Sequence, residues 1–193
     1  MREIVFFSSN AGKIDEIKHK FKNKEIKILS LKDFDNFFEP PEIGTTFKEN
    51  AKIKSSYGYE RFRIPCFADD SGICIEALEG SPGVKTKDFL NSFEDSMSCF
   101  KYIINEVKKK NNSKAYFKSV ISLTLSNNEN IFFEGTVIGN ISETIIGNKG
   151  FGFDPIFIPK GQDVTFSQME INTKNKISHR GIALNHLIKY FTN

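Results

Sequence analysis

The stretch IVFFSSNAGKIDEIKHKF, from Ile4 to Phe21, limits the folds open to this chain more than any other part of it. Residues 4–8 (IVFFS) form a short, continuous apolar run of strand length, the pattern of a buried strand. After a turn containing Gly12, Ile14, Ile17 and Phe21 recur at helical spacing. Strand, glycine-containing turn and helix together open an α/β unit. EIKIL (25–29) predicts the next strand, followed by a polar loop (32–44) that carries Glu39, Glu42 and Gly44. Thr46-Phe47-Lys48-Glu49 then has the capping-box pattern, which predicts a helix running to about Gly58.

Residues 67–78 read FADDSGICIEAL. The apolar runs on either side predict two strands flanking Asp69, Asp70, Ser71 and Gly72. Two readings of that centre stand open. Asp, Ser and Gly suit a β-turn. Alternatively, two adjacent carboxylates in an apolar setting repel and lose water, so they need a counter-charge, and perturbed carboxylates mark sites. EGSPGV (79–84) is a turn, and Ser92-Phe93-Glu94-Asp95 predicts the start of a helix with Phe93, Met97, Phe100, Ile104 and Val107 on its core face. AYFKSVISLTL (115–125) and IFFEGTVIGNI (131–141), joined by NNEN, predict an antiparallel hairpin. A glycine-rich loop leads into a short strand over 147–159, and SHRGIALNHLIKYF (178–191) predicts a C-terminal helix capped by Ser178.

At 193 residues and 39% hydrophobic, the chain supports one well-filled core, so a single domain over 1–193 is expected. Twenty phenylalanines and no tryptophan make that core aromatic. A net charge of +3 is too small for a strongly basic nucleic-acid binder, yet does not repel an anionic ligand. The basic run KKKNNSK (108–114) lies at a helix C-terminus and reads as solvated surface. Cys66, Cys74 and Cys99 lack metal-type spacing and read as buried thiols of a reducing compartment. No apolar run approaches the ~20 residues that span a bilayer. The start, MREIVFFSSN, is too short for a signal peptide. A soluble cytoplasmic protein, with no membrane and no nucleic-acid partner, is the expectation.

Four clusters carry candidate chemistry. Ser8, Ser9, Asn10, Ala11, Gly12 and Lys13 follow a strand and open a helix, so backbone N–H groups and one full charge can face an anion. The segment is not a P-loop, because Ile14 stands where Ser or Thr would bind magnesium. Asn50 and Lys54 are four residues apart on one helix face, with Glu42 just ahead of that helix. Glu42 and one of Asp69 and Asp70 offer the hard oxygen ligands that suit Mg²⁺, which takes one or two carboxylates plus phosphates and waters. Finally, Phe151, Gly152, Phe153 and Asp154 combine with Lys174, His179 and Arg180. Either phenylalanine offers a ring to stack on a planar base, and the cations add donors. His19 and His186, on predicted helix faces, read as structural residues.

SSNAGK, EIGTTFKENAKIK, FADDSGICIEALEGSPGV, GFGFDPIF and KNKISHRGIAL occur in the order and spacing of one family. The chain closely resembles the inosine triphosphate pyrophosphatases, which hydrolyse nonstandard purine nucleoside triphosphates, over about residues 4–188. The resemblance implies an α/β fold with a long central mixed β-sheet flanked by helices, and two lobes with an active-site cleft. It also implies Mg²⁺ dependence and a homodimer. By motif, Ser8 to Lys13 resemble the triphosphate-binding turn. Glu42 and Asp70 resemble the metal carboxylates, Asp70 also the proton acceptor, and Asp69 its catalytic neighbour. Asn50, Lys54, Ser71, Phe151, Gly152, Phe153, Asp154, Lys174, His179 and Arg180 resemble substrate-binding positions.

The chain departs from the family pattern at Phe153, where bacterial members carry tyrosine, and at KTKDF (85–89), where many carry an Ala-Arg pair. Lys85 or Lys87 can replace that arginine only as a point charge. Three rival functions make different predictions. A regulator that lost catalysis would bind nucleotide without releasing pyrophosphate; the intact Glu42 and Asp70 argue against it. A nucleic-acid binder would show salt-sensitive duplex affinity, but KKKNNSK is too isolated a basic run for one. A pyrophosphatase for modified pyrimidines is separated only by a substrate panel.

Overall fold

The computed structural model describes residues 2–22, 24–34, 38–126 and 129–192. Its strands are β1 (Arg2–Phe6), β2 (Ile26–Ser30), β3 (Cys66–Ile75), β4 (Lys114–Ser126), β5 (Glu129–Ile141) and β6 (Phe157–Pro159). Its helices are α1 (Ala11–Phe21), α2 (Phe47–Phe62), α3 (Thr86–Asn91), α4 (Ser96–Lys109), α5 (Ile171–Ile177) and α6 (His179–Thr192). The strands hydrogen-bond in the order β2-β1-β3-β4-β5-β6. Strand β1 is parallel to β2 and β3, and β5 is antiparallel to β6, so the sheet is mixed. The chain divides into two compact units. One comprises Met1–Asp70, Ser119–Glu134 and Gly181–Asn193, the other Ser71–Lys118 and Gly135–Arg180.

In the first unit, Ile4, Val5, Phe6 and Phe7 are wholly buried, because β1 is covered on both faces. The pleat distributes them by turns. Ile4 and Phe6 join Ile14, Ile17 and Phe21 of α1 and Leu184 of α6. Val5 and Phe7 join Leu31, Cys66 and Ala68 on the other side, with Tyr57 and Phe62 of α2 against them. Helix α2 sits very close there: a Cβ on Gly58 would lie 2.4 Å from Cys66 Sγ and 2.7 Å from Phe7 Cδ2. Thr46 and Glu49 form the expected capping box, but the helix continues past Gly58 to Phe62.

The second unit has an aromatic core. Phe117 packs edge-on against Phe157 at 4.8 Å, Phe157 lies 5.3 Å from Phe166, and Phe100 meets Phe153 at 5.7 Å. Helix α4 begins at Ser96 rather than at Phe93, capped by Asp95, whose carboxylate accepts a 2.6 Å hydrogen bond from Ser98 N. Its buried face is Cys99, Phe100, Ile103 and Val107, while Met97 is exposed and Ile104 only partly covered. Ser92, expected to open that helix, instead lies at the end of α3, its hydroxyl donating to Phe89 O.

The largest correction concerns residues 64–78. The expected strand–turn–strand is one ten-residue strand, β3, with Asp69 and Asp70 inside it. The β-turn reading of FADDSG is thereby overturned. The expected loop after β2 begins with a 3-10 turn, Leu31–Asp33, and residues 35–37 of it lie outside the described residues. So do residues 127 and 128 of the expected NNEN turn between β4 and β5.

Candidate active site

Successive residues of a strand point to opposite faces, and this is how β3 accommodates two adjacent carboxylates. Asp69 faces α1, where its Oδ1 is 3.1 Å from Lys13 Nζ. Asp70 faces α2, where Oδ2 accepts a 3.1 Å hydrogen bond from Asn50 Nδ2 and Oδ1 lies 3.5 Å from Lys54 Nζ. Each buried aspartate thus has its own cation, which offsets the repulsion and desolvation that adjacency would otherwise cost.

Lys13 sits in the first turn of α1, whose N-cap is Asn10; the Asn10 side chain accepts from Lys13 N at 3.0 Å. Ser8 Oγ accepts from Asn10 N at 3.2 Å, fixing the turn that leaves β1. The first turn of α1 carries no acidic side chain, so its positive end is not neutralised from within. Ser9 N instead donates to the carboxylate of Glu39, thirty residues away. No local signal in the sequence announces that contact.

Asn50 and Lys54 share one face of α2 and converge on Asp70 as their spacing predicts. Asn50 Oδ1 also accepts from Gly44 N at 2.8 Å, and a Cβ on Gly44 would stand 2.6 Å from that oxygen. This close approach anchors the segment carrying Glu42, whose Oε1 accepts from Lys54 Nζ at 2.7 Å. Lys54 Nζ donates further to Asp69 O at 2.8 Å. Burial pushes the Asp70 carboxyl above the ordinary carboxylate range, against the pull of Lys54 and Lys13. Burial acts to lower the Lys54 value, but Asp70, Glu42 and Asp69 together outweigh it and keep the ammonium charged.

Among the described residues, no group of three or more His, Cys, Asp and Glu side chains could hold a metal ion by itself. Asp70 and Glu42, held by the same ammonium, are a two-carboxylate donor set. That set fits a hard divalent cation that completes its shell with phosphate oxygens and water.

The second unit holds the other candidate group. Gly150 has φ +76°, and a Cβ there would lie 2.0 Å from Asp154 Oδ2. The glycine lets that carboxylate fold back under the loop, accepting from Phe151 N at 2.8 Å and from Lys174 Nζ at 2.6 Å. Lys174, on the short helix α5 that the sequence pattern did not reveal, also lies 4.9 Å from the Phe151 ring centroid. Arg180 Cζ is 5.4 Å from the same ring, and Arg180 Nη2 donates to Ser71 Oγ at 2.8 Å. His179 stacks on Phe117, ring centroids 4.6 Å apart.

The two phenylalanines are not equivalent. Phe151 is half-buried, whereas Phe153 is 2% exposed and belongs to the hydrophobic core, so its ring offers no free face for stacking. Gly152, with φ +59°, makes the turn between them. Lys85 and Lys87 are exposed; Thr86, between them, donates to Gly83 O and accepts from Ile73 N, tying the loop to β3. His186 Nδ1 lies 3.2 Å from Glu134 O on an exposed face of α6.

A mixed sheet, a lysine–carboxylate cluster in one unit and a glycine-bounded aromatic turn in the other define a class of protein rather than a general α/β fold. The Ham1 family profile matches residues 4–190, and the chain belongs to that family. It is 39% identical to the dITP/XTP pyrophosphatase of Christiangramia forsetii, an alignment covering 98% of this chain and 99% of the relative. A HAM1 protein from Coxiella burnetii superposes with a TM-score of 0.89 at 32% identity, covering 100% of this chain and 99% of that one. The Ham1 protein of Staphylococcus aureus gives 0.85 at 33% identity, covering 99% of this chain and 98% of that one. Among the described residues, no helix is long and apolar enough to cross a membrane.

Proposed function

We propose that this protein is a Mg²⁺-dependent nucleoside triphosphate pyrophosphatase that converts nonstandard purine nucleotides, ITP, dITP and XTP, to the monophosphate and pyrophosphate. The observation that carries the reading is the division of labour in β3. Asp69 is paired to the lysine of an anion-binding turn, and Asp70 to the helix that also holds Glu42.

Ser8 to Lys13 receive the β- and γ-phosphates: the amides at the start of α1 and the Lys13 ammonium steady the charge that grows on the departing pyrophosphate. Asp69 keeps Lys13 extended toward that charge. Asp70 orients the attacking water and takes its proton, a role suited to a carboxylate whose basicity burial has raised. Asp70 and Glu42 would hold Mg²⁺, which would supply charge neutralisation to the phosphates. Asn50 fixes the Asp70 carboxylate by holding Oδ2.

The second-unit group reads the base. Phe151 provides the stacking ring, Asp154 and Lys174 hold its loop, and His179 and Arg180 supply donors for a 6-oxo purine. Adenine offers a 6-amino donor in that place and leaves those groups unpaired, a mismatch that can reach ~10⁴-fold. A cytoplasmic homodimer that cleanses the nucleotide pool completes this reading.

The test is pyrophosphate release across ITP, XTP, dITP, ATP, GTP and CTP with Mg²⁺. Strong preference for ITP, dITP and XTP is expected. Hydrolysis of ATP as efficient as that of ITP overturns the base reading, and nucleotide binding without pyrophosphate release overturns the enzyme itself.

A further inference from the structure

One side chain, Lys54, touches every carboxylate-bearing segment of the first-unit cluster. It is 5% exposed, and its ammonium donates to Glu42 Oε1 at 2.7 Å and to Asp69 O at 2.8 Å while lying 3.5 Å from Asp70 Oδ1. The other Asp70 oxygen is committed to Asn50, so the oxygen turned toward Lys54 is the one left to a cation. The Glu42 segment is itself fastened through the Gly44 N–Asn50 Oδ1 bond. The two oxygens that suit a divalent ion therefore converge on an ammonium already present in the chain.

We propose that Lys54 is an internal stand-in for the metal: it holds Glu42 and Asp70 together in the nucleotide-free protein and yields their oxygens when phosphate arrives. This rests on the reading that Glu42 and Asp70 hold Mg²⁺. The charges support it. Glu42, Asp69 and Asp70 bring three negative charges, and Lys13 and Lys54 bring two positive ones. A dication entering alone would meet an ammonium at its own ligands and be repelled by it. Phosphate oxygens remove that conflict, because a lysine on its flexible four-carbon stem can turn its ammonium to a phosphate without moving α2. Metal and nucleotide therefore bind synergistically, with Lys54 as the element that couples them.

The experiment titrates Mn²⁺ by electron paramagnetic resonance, with and without an α,β-methylene analogue of ITP, on the wild type, Lys54→Met and Lys54→Arg. In the wild type, the analogue should tighten Mn²⁺ binding by about tenfold or more, within the usual range of coupling between sites. Lys54→Met should bind Mn²⁺ without nucleotide about tenfold more tightly than the wild type does, and lose most of the synergy. Its melting temperature should fall in chelator and recover with Mn²⁺, while Lys54→Arg, which keeps the charge, should follow the wild type.

Lys54→Met binding Mn²⁺ no more tightly than the wild type overturns the inference. So does a loss of stability that Mn²⁺ does not restore, including failure of Lys54→Met to fold even with Mn²⁺ present. Wild-type binding of Mn²⁺ equally tight with and without the analogue does the same by a measurement that needs no variant. Absence of Mn²⁺ binding in all three proteins under both conditions overturns the metal reading, and this inference with it.

Discussion

Asp70 concentrates the chemistry of the site in one side chain. Asp70→Asn removes a metal oxygen and the proton acceptor together, so turnover should fall by ~10²-fold or more in pyrophosphate release at saturating Mg²⁺. Near-normal turnover would take Asp70 out of the mechanism. Because burial raises its carboxyl, the acid limb of kcat/KM should lie above the ordinary carboxylate range. Activity is lost as pH falls through that raised value. Added Mg²⁺, favouring the ionised form, should move the limb to lower pH; a limb that ignores Mg²⁺ would refute the assignment. The sign for stability is the reverse of that for a paired surface carboxylate. The folded state binds the proton more tightly than the unfolded one, so the Asp70 contribution weakens as pH rises through the same window. At the base end, Arg180→Ala should erode the ITP-over-ATP ratio more than Lys13→Ala, whose loss should appear as weaker triphosphate binding. Equal erosion by both would dissolve the proposed division between phosphate and base residues. Asp69, Asp70 and Lys13 were visible in the sequence because paired carboxylates and a lysine after a strand are chemically conspicuous. The burial of Phe153 was not, since the path of a loop with glycines at 150 and 152 depends on φ angles that residue type permits but does not dictate.

At the scale of elements, the close approach of α2 to the strands beneath it makes one substitution diagnostic. In an isolated helix, Gly→Ala is worth ~1 kcal/mol in favour of alanine. At Gly58, the new methyl group would stand 2.4 Å from Cys66 Sγ and 2.7 Å from Phe7 Cδ2, both side chains wholly buried. Overpacking of this kind costs about 1–3 kcal/mol, so Gly58→Ala should destabilise the protein, read as a lower denaturation midpoint. A raised midpoint would mean that α2 is not held as close as the geometry states. The long elements were legible: β1, α1, β2, α2 and β4 follow from apolar period and capping pattern, with ends displaced by a few residues. The failures have a common cause. Helices α3 and α5, six and seven residues long, are too short to show a period. For α4, Asp95 rather than Ser92 accepts the capping hydrogen bond, and the buried face runs through Cys99 and Ile103 rather than Met97 and Ile104. Asp69, Asp70 and Ser71 have low strand propensity, and only their cations and neighbours in the fold allow β3 to run through them.

For the whole molecule, the question is whether the two compact units unfold as one. The chain passes from one to the other inside β3 between Asp70 and Ser71, inside β4 between Lys118 and Ser119, inside β5 between Glu134 and Gly135, and inside α6 between Arg180 and Gly181. None of these passages is a linker, so fraying one unit must break hydrogen-bonded strands continued in the other, which favours a single cooperative transition. The cysteines report on it, because Cys66 belongs to the first unit and Cys74 and Cys99 to the second, and all three are buried and free of disulfides. Burial raises the Cys66 thiol far beyond its ordinary value and pushes Cys99 up to about 11, and it raises Cys74 as well. At neutral pH the folded protein therefore presents almost no thiolate to an alkylating reagent. In native buffer, N-ethylmaleimide should modify none of the three on the timescale that modifies them in denaturant. Along a denaturant series, mass spectrometry should find Cys66 and Cys99 becoming reactive at one midpoint, coincident with loss of circular dichroism. Labelling of Cys99 at a distinctly lower denaturant concentration than Cys66 would show that the units open independently despite their shared strands. Fast labelling in native buffer would contradict the burial that the aromatic packing around these thiols creates.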